Sequence, residues 1–409
     1  MTDRMSAENI IKQCEAALLE SFAEIDELAQ FNQDKVLDAF IEKRISQRHF
    51  MPTTGYGYGD DGRDTLSQLF AQIFKAQSGL VSPHLLSGTH AIGVCLFAVL
   101  RPGDVLLSIT GRPYDTLTDI INKPGTGSLG DFGVTFEEVG LKGSDFDFVE
   151  IEKKIKALKP KMIFIQRSRG YSDRSSLSVA QIGEAAEFVK RYAPDCVVFV
   201  DNCYGEFTEK EEPSIYADLC AGSLIKNPGG GIAPGGGYIV GKKDLVVLCE
   251  NRLTTPSTGG EIGANPAGYL PYYQGVFLAP HVTAQSMKGV LLISQAMNLL
   301  GFEVVPQGLN RNKEVICAVK FGTKETLINF CRGIQAASPV DSHVTPYPWD
   351  MPGYADQVIM AAGCFVQGSS IELSCDAPIR PPYIAYIQGG LTYEHVKSAL
   401  KRCIAGLRA

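Results

Sequence analysis

Lys226 closes the apolar run Ala221-Gly222-Ser223-Leu224-Ile225 and is followed by Asn227-Pro228-Gly229-Gly230-Gly231. A lysine in a partly desolvated pocket has a lowered pKa and can form an imine with an aldehyde. Asp201 lies 25 residues earlier, at the end of Val197-Val198-Phe199-Val200. A carboxylate delivered to a strand end can hold a protonated pyridine nitrogen, because the opposite charge favours the protonated ring. Such a ring is an electron sink. Ser87-Gly88-Thr89-His90-Ala91 precedes a helical stretch, and free N–H groups at a helix start beside a hydroxyl make an anion site. Ser223 could reach the same anion. Tyr114 follows the apolar run Val105–Ile109, where an aromatic side chain could stack on a flat ring. Each piece has an ordinary counterpart: a surface lysine by a flexible loop, an aspartate capping a turn, an N-cap at Ser87 or Thr89, a tyrosine packed on the core. Taken singly, those ordinary readings are as good or better. The chain order of the four is what sets them apart.

The elements that would carry these residues alternate. Residues 7–30 read as an amphipathic helix, with Ile10, Ile11, Cys14, Leu18, Phe22, Ile25 and Leu28 at helical spacing, and 34–45 as a second. A Gly-rich loop at 53–63 holds Tyr56, Tyr58 and Arg63, and a helix is predicted at about 64–77. Helices at 91–100 and 179–192 fall among strands at 105–109, 161–166, 196–200, 223–225 and 238–240. That alternation predicts an α/β fold: a mostly parallel sheet flanked by helices on both faces, with ligands bound at the C-terminal ends of its strands. A long helix is predicted at 281–300. Beyond it the texture shifts to short strands near 303–306, 314–321 and 369–375, with helices near 324–336 and 393–407. The expected division is an N-terminal helical arm at 1–50, a large domain at 51–300 and a smaller α/β domain at 301–409, which the N-terminal helices could complete.

Composition narrows the partners. The 409 residues carry a formal net charge of -7, which disfavours nucleic acid or an anionic membrane as the main partner. The eleven cysteines stand singly, with no C-x-x-C spacing for zinc or redox work, so buried reduced thiols and no bound metal are expected. The first thirty residues mix charged and apolar types without a signal-peptide pattern, and no apolar run approaches a membrane span. A cytoplasmic location is the expectation.

The order of anion site, aromatic, strand-end aspartate and strand-end lysine resembles the large domain of pyridoxal 5'-phosphate (PLP) enzymes of the aspartate-aminotransferase superfamily, fold type I. Asp201-Asn202-Cys203-Tyr204 with Phe207 resembles that superfamily's D-x-A-Y-x-x-F element. Gly55-Tyr56-Gly57-Tyr58-Gly59-Asp60, Ser87-Gly88-Thr89-His90-Ala91 and Ile225-Lys226-Asn227-Pro228-Gly229-Gly230-Gly231 resemble the methionine gamma-lyase-like group also labelled aluminium resistance protein or cystathionine beta-lyase family. The resemblance implies PLP held as a Schiff base on Lys226, with Asp201 on the ring nitrogen and Tyr204 on the phenolic oxygen. It implies a phosphate held by Ser87, Gly88, Thr89, His90 and Ser223, and Tyr114 against the ring. Tyr56 and Tyr58 would reach a neighbouring subunit's site, with Arg63 close by, which implies a homodimer or homotetramer with shared active sites. Arg380, in the Pro-flanked loop Ile379-Arg380-Pro381-Pro382, is the candidate for the substrate carboxylate; Arg167 and Arg169 are alternatives for carboxylate or phosphate. The implied activity is a carbon–sulfur lyase on a sulfur-containing amino acid. Two other readings stand beside it: aldol cleavage of a β-hydroxy amino acid, since Ser-Gly-Thr-His also resembles threonine aldolases, and a PLP-binding protein with little catalysis.

Overall fold

A computed structural model describes residues 6–172, 174–307, 313–351, 354 and 356–407. Its larger sheet has seven strands in the spatial order Ser78–Ser82, Gly237–Gly241, Leu219–Ser223, Val197–Asp201, Met162–Gln166, Val105–Ser108 and Thr135–Glu138. The last five are mutually parallel. Gly237–Gly241 runs antiparallel to both of its neighbours. The three strands Met162–Gln166, Val197–Asp201 and Leu219–Ser223 are buried along their whole length, as continuous apolar runs must be when helices cover both faces. Side chains divide with the two-residue period of a strand. Phe164, Phe199, Leu219 and Ala221 pack with Ile92, Cys95 and Leu96 of the Gly88–Val99 helix. Ile163, Ile165, Val198 and Val200 pack on the opposite face with Ile182, Ala185 and Val189 of the Val179–Tyr192 helix.

A second sheet of five strands is antiparallel throughout, in the order Glu303–Val305, Ile316–Lys320, Ile384–Gln388, Ser374–Pro378, Val358–Ala361. Its core includes Leu327, Phe330 and Ile334 of the Lys324–Ala336 helix and Val396, Leu400 and Ile404 of the Tyr393–Gly406 helix. Ile10, Ile11, Cys14, Leu18, Ile25 and Leu28 join the same cluster. The 30-residue helix Leu270–Leu299 touches both sheets' cores, with Tyr272, Tyr273 and Val276 in one cluster and Val290, Ile293 and Met297 in the other. It is long and apolar enough by composition to cross a membrane, yet 72% of its most apolar stretch is buried inside the protein.

Several expected elements shift. The 7–30 helix breaks at Leu18, whose φ of -98° and ψ of 1° leave the helical basin, and the second half continues unbroken to Glu42, absorbing the helix expected at 34–45. The strand expected at 223–225 is Leu219–Ser223, because Asn227-Pro228-Gly229 starts a tight 3-10 turn just beyond. The strand expected at 369–375 starts at Ser374. The preceding residues form a turn in which the Glu372 carboxylate accepts the N–H groups of Phe365 and Val366 at 2.9 Å each. The long helix begins at Leu270 and not near 281; Pro280 sits within it.

Candidate active site

The register of the parallel strands decides which side chains meet. Gln166 pairs with Asp201, and Asp201 with Ala221, so these strands end together at one edge. At that edge is a pocket that opens in part to solvent. Ser87, Gly88, Thr89, Tyr114, Asp201, Tyr204, Ser223 and Lys226 all line it, so eight of the residues singled out in the sequence converge on one space.

Lys226 donates from Nζ to Ser370 Oγ at 3.0 Å and lies 3.6 Å from the centre of the Tyr204 ring. The sequence suggests a lysine with a lowered pKa. Burial does pull it down, but Tyr204, Cys203 and Glu206 outweigh that pull and the amine sits above its ordinary value. Tyr204 has a φ of 72° and Phe207 of 61°, a left-handed backbone that costs a non-glycine residue about 1–3 kcal/mol and persists only where its surroundings hold it. Asn227 supplies that hold: its Nδ2 donates to the carbonyls of Tyr204 at 3.1 Å and Glu206 at 2.9 Å. The residue after the lysine thereby fixes the turn that brings the tyrosine ring beneath the amine.

Asp201 is buried, and its Oδ1 accepts the Cys203 N–H at 3.1 Å. Burial raises its carboxyl above the ordinary range, while the Cys203 hydrogen bonds and the charges of Lys226 and Arg174 pull it back. A buried carboxylate of this kind is best satisfied by a cation brought by the ligand, as a protonated pyridine nitrogen would be. At the start of the Gly88–Val99 helix, Ser87 Oγ caps the N–H of His90 at 3.1 Å. A Cβ on Gly88 would meet Ser223 Cβ at 3.1 Å and Cys203 Sγ at 3.2 Å. A side chain there would force its neighbours to shift by a few tenths of an ångström, and the residues present fit a phosphorylated pyridine aldehyde. Tyr114 donates its N–H to Gln166 Oε1 at 2.8 Å, and its hydroxyl lies 2.6 Å from that of Tyr354.

Other expected residues lie elsewhere. The His90 ring turns away from the pocket and accepts the Leu86 N–H through Nδ1 at 3.1 Å. Arg167 is not available to a substrate: its side chain is 0% exposed and is held by Asn202, Gly205, Leu177, Thr208 and Glu209. Arg169 is bound to Glu314 and to the Val305 carbonyl, at 2.5 Å and 2.9 Å. Arg380 pairs with Asp356 at 2.9 Å and lines, with Arg112, Arg169 and Arg174, a recess that shares Tyr114, Gln166 and Tyr171 with the main pocket. Tyr56 and Tyr58 stack on each other at 5.4 Å, 67% and 66% exposed, outside the pocket. Arg63 holds the Gly57 carbonyl at 3.0 Å and Asp64 at 2.8 Å.

The smaller sheet contributes Asp376, Tyr386 and Gln388, which sequence reasoning missed, and the turn before Ser374–Pro378 contributes Ser370; Tyr171 joins them from the loop after Met162–Gln166. Asp376 is a charged residue in the middle of a fully buried strand and Gln388 closes another after an apolar run, and those are the available signals. Burial raises the Asp376 carboxyl to about 6, with Lys226, Gln388 and Tyr171 pulling the other way.

Beneath the floor, Glu206 is fully buried and its Oε1 accepts the Tyr238 hydroxyl at 2.8 Å. Oε2 has no partner among the described residues. Burial raises this carboxyl to about 8. The folded protein therefore holds a proton that the unfolded chain releases near pH 4.3, and this contribution to stability falls as pH rises from about 4 to about 8. Glu206→Gln is expected to remove that slope: melting curves of the variant and wild type, compared from pH 5 to 9, should diverge in favour of the variant toward alkaline pH. Parallel curves would show that Glu206 titrates normally.

A family model described as Methionine gamma-lyase matches residues 7–408. A protein of Bacillus subtilis, uncharacterized and called YnbB, is 49% identical over 400 residues, which is 97% of this chain and 95% of the relative. The crystal structure of a proposed cystathionine beta-lyase involved in aluminum resistance from Listeria monocytogenes is 52% identical, with a TM-score of 0.95 over 98% of this chain and 100% of that one. A carbon–sulfur lyase involved in aluminum resistance from Clostridium novyi is 47% identical, with a TM-score of 0.94 over 98% and 95% of the two chains. The PLP-dependent protein YhfS of Escherichia coli shares the fold at 19% identity and a TM-score of 0.63, over 93% and 97% of the chains.

Proposed function

From the premise that this chain belongs to the methionine gamma-lyase family, we propose that it is a PLP-dependent carbon–sulfur lyase that acts on a sulfur-containing amino acid. The observation that carries the reading is the meeting of Lys226, Asp201 and the Gly88 cradle at the ends of adjacent strands. Lys226 would hold the cofactor through Nζ, Asp201 its ring nitrogen, Tyr204 its phenolic oxygen, and Ser87, Gly88, Thr89 and Ser223 its phosphate. When bound, PLP supplies an electron sink that stabilises negative charge at the substrate's amino-bearing carbon.

The chain's own groups do the rest. Lys226 Nζ, set beside Tyr204 and Ser370, is placed to carry a proton from that carbon. The rings of Tyr114 and Tyr171 form one wall, with Tyr354 packed against both; burial first, then neighbouring charge, holds the Tyr114 hydroxyl in its protonated form. Tyr114 is the candidate for steadying the leaving sulfur. The arginine-lined recess next to Tyr114 supports Arg380 as the group that receives the substrate carboxylate, and the exposure of Tyr56 and Tyr58 supports a role for that loop, Tyr56 in catalysis and Tyr58 at the phosphate, in a neighbouring protomer of a homodimer or homotetramer. The eleven buried free cysteines, among them Cys331 and Cys375 with sulfurs 3.6 Å apart and unbonded, support a reducing, cytoplasmic setting.

Product analysis tests the reaction class. Incubation with L-cystathionine, L-cysteine and L-methionine is expected to release a 2-oxo acid, ammonia and a thiol or sulfide from at least one of them. Release of glycine and an aldehyde from a β-hydroxy amino acid, with no keto acid from the sulfur amino acids, would contradict it.

A further inference from the structure

Asp376 lies on Ser374–Pro378, an inner strand of the smaller sheet, and faces the pocket that holds Lys226. Its Oδ2 accepts from Gln388 Nε2 at 3.1 Å and from the Tyr171 hydroxyl at 3.4 Å. No donor among the described residues reaches Oδ1. The residue is 9% exposed, so its charge is largely cut off from water, and a carboxylate in that position calls for a cation. Two neutral donors orient it without supplying one. Among the described residues lining the pocket, Lys226 is the only lysine or arginine. Its amine is directed to Ser370 and the Tyr204 ring, and under the reading above it gives up its ammonium to anchor the cofactor. The missing cation must then come with the ligand. The walls suit that arrival, because the Tyr171 and Tyr386 rings lie 5.0 Å apart beside the carboxylate, and aromatic faces attract an ammonium.

We propose that Asp376 Oδ1 binds a second ammonium group at the far end of the substrate's thioether arm, so that the enzyme selects sulfur amino acids that carry a distal amine. This rests on the lyase reading and names the substrate class for it. A different role, protonation of the departing sulfur by Asp376, would act on every thioether alike.

A matched pair separates the two. S-(2-Aminoethyl)-L-cysteine and S-propyl-L-cysteine have arms of the same length and differ in a terminal ammonium against a methyl. The wild-type holoenzyme is expected to favour the aminoethyl compound in kcat/KM by at least about tenfold, the scale of a charge-assisted hydrogen bond, and Asp376→Asn to bring that ratio close to one. Equal constants for the pair in the wild type would overturn the proposal, and so would an Asp376→Asn variant that keeps the wild-type ratio or loses both activities in proportion. Calorimetric titration with L-lysine and L-2-aminoheptanoic acid, which match the two arms atom for atom and lack a carbon–sulfur bond, reads the same preference as binding alone. If neither thioether is cleaved and the keto-acid assay above also fails, the lyase reading fails, while tighter binding of lysine still upholds Asp376 and equal binding still overturns it.

Discussion

Lys226→Ala is expected to lower turnover of a sulfur amino acid by at least about 10⁴-fold, the usual scale for losing a group that both anchors and transfers protons. Under the proposed reading two functions would leave with one side chain: the attachment point of the cofactor and the base beside the substrate's reacting carbon. The Nζ contacts that leave are one hydrogen bond to Ser370 and the Tyr204 ring, together with a charge that favours the ionised Asp201 and Asp376, while the turn that shapes the site is held by Asn227, not by the lysine. The variant should therefore melt near the wild-type apo-protein while failing in the keto-acid assay. Turnover within tenfold of wild type would show that the chemistry runs elsewhere.

Arg167→Ala is expected to cost about 3–5 kcal/mol of stability, because it leaves buried partners behind. The guanidinium donates to Asn202 Oδ1 at 2.7 Å, the Gly205 carbonyl at 2.9 Å, Glu209 at 2.7 Å, and more weakly to Leu177 and Thr208 at 3.3 Å. Glu212, also buried, lies 3.6 Å away. This network ties the end of Met162–Gln166 to the turn after Asp201, which carries Tyr204. Arg167→Lys should recover little, since an ammonium cannot fill a planar five-donor site. Denaturant unfolding measures the loss directly. A variant of unchanged stability whose KM alone rises would return Arg167 to the substrate site.

The residues that announce the chemistry in the sequence do so because strand ends are legible. Asp201 and Lys226 terminate apolar runs, and a parallel sheet then has little choice but to bring them together. Gly88 is legible as part of a helix start. The misreadings have a common cause in tertiary context. Arg167 sits one residue past a strand end and looks like a ligand group, but whether such an arginine faces the pocket or the core depends on acidic partners 42 and 45 residues downstream, Glu209 and Glu212. His90 falls within the anion-site motif, yet helix geometry sends its ring to Leu86. The strand expected at 369–375 lies at 374–378 because Glu372 commits the residues before it to a turn through two backbone N–H groups. With that strand out of place, Asp376 and its partner Gln388 could not be seen to face Lys226, so the half of the pocket supplied by the smaller sheet stayed hidden.

The most direct test of the central claim is chemical capture. Holoenzyme reduced with borohydride, digested and analysed by mass spectrometry is expected to yield one modified peptide, with the pyridoxyl phosphate mass on Lys226. The same mass on a different lysine, or no modified peptide from protein incubated with PLP, would contradict the assignment of the site.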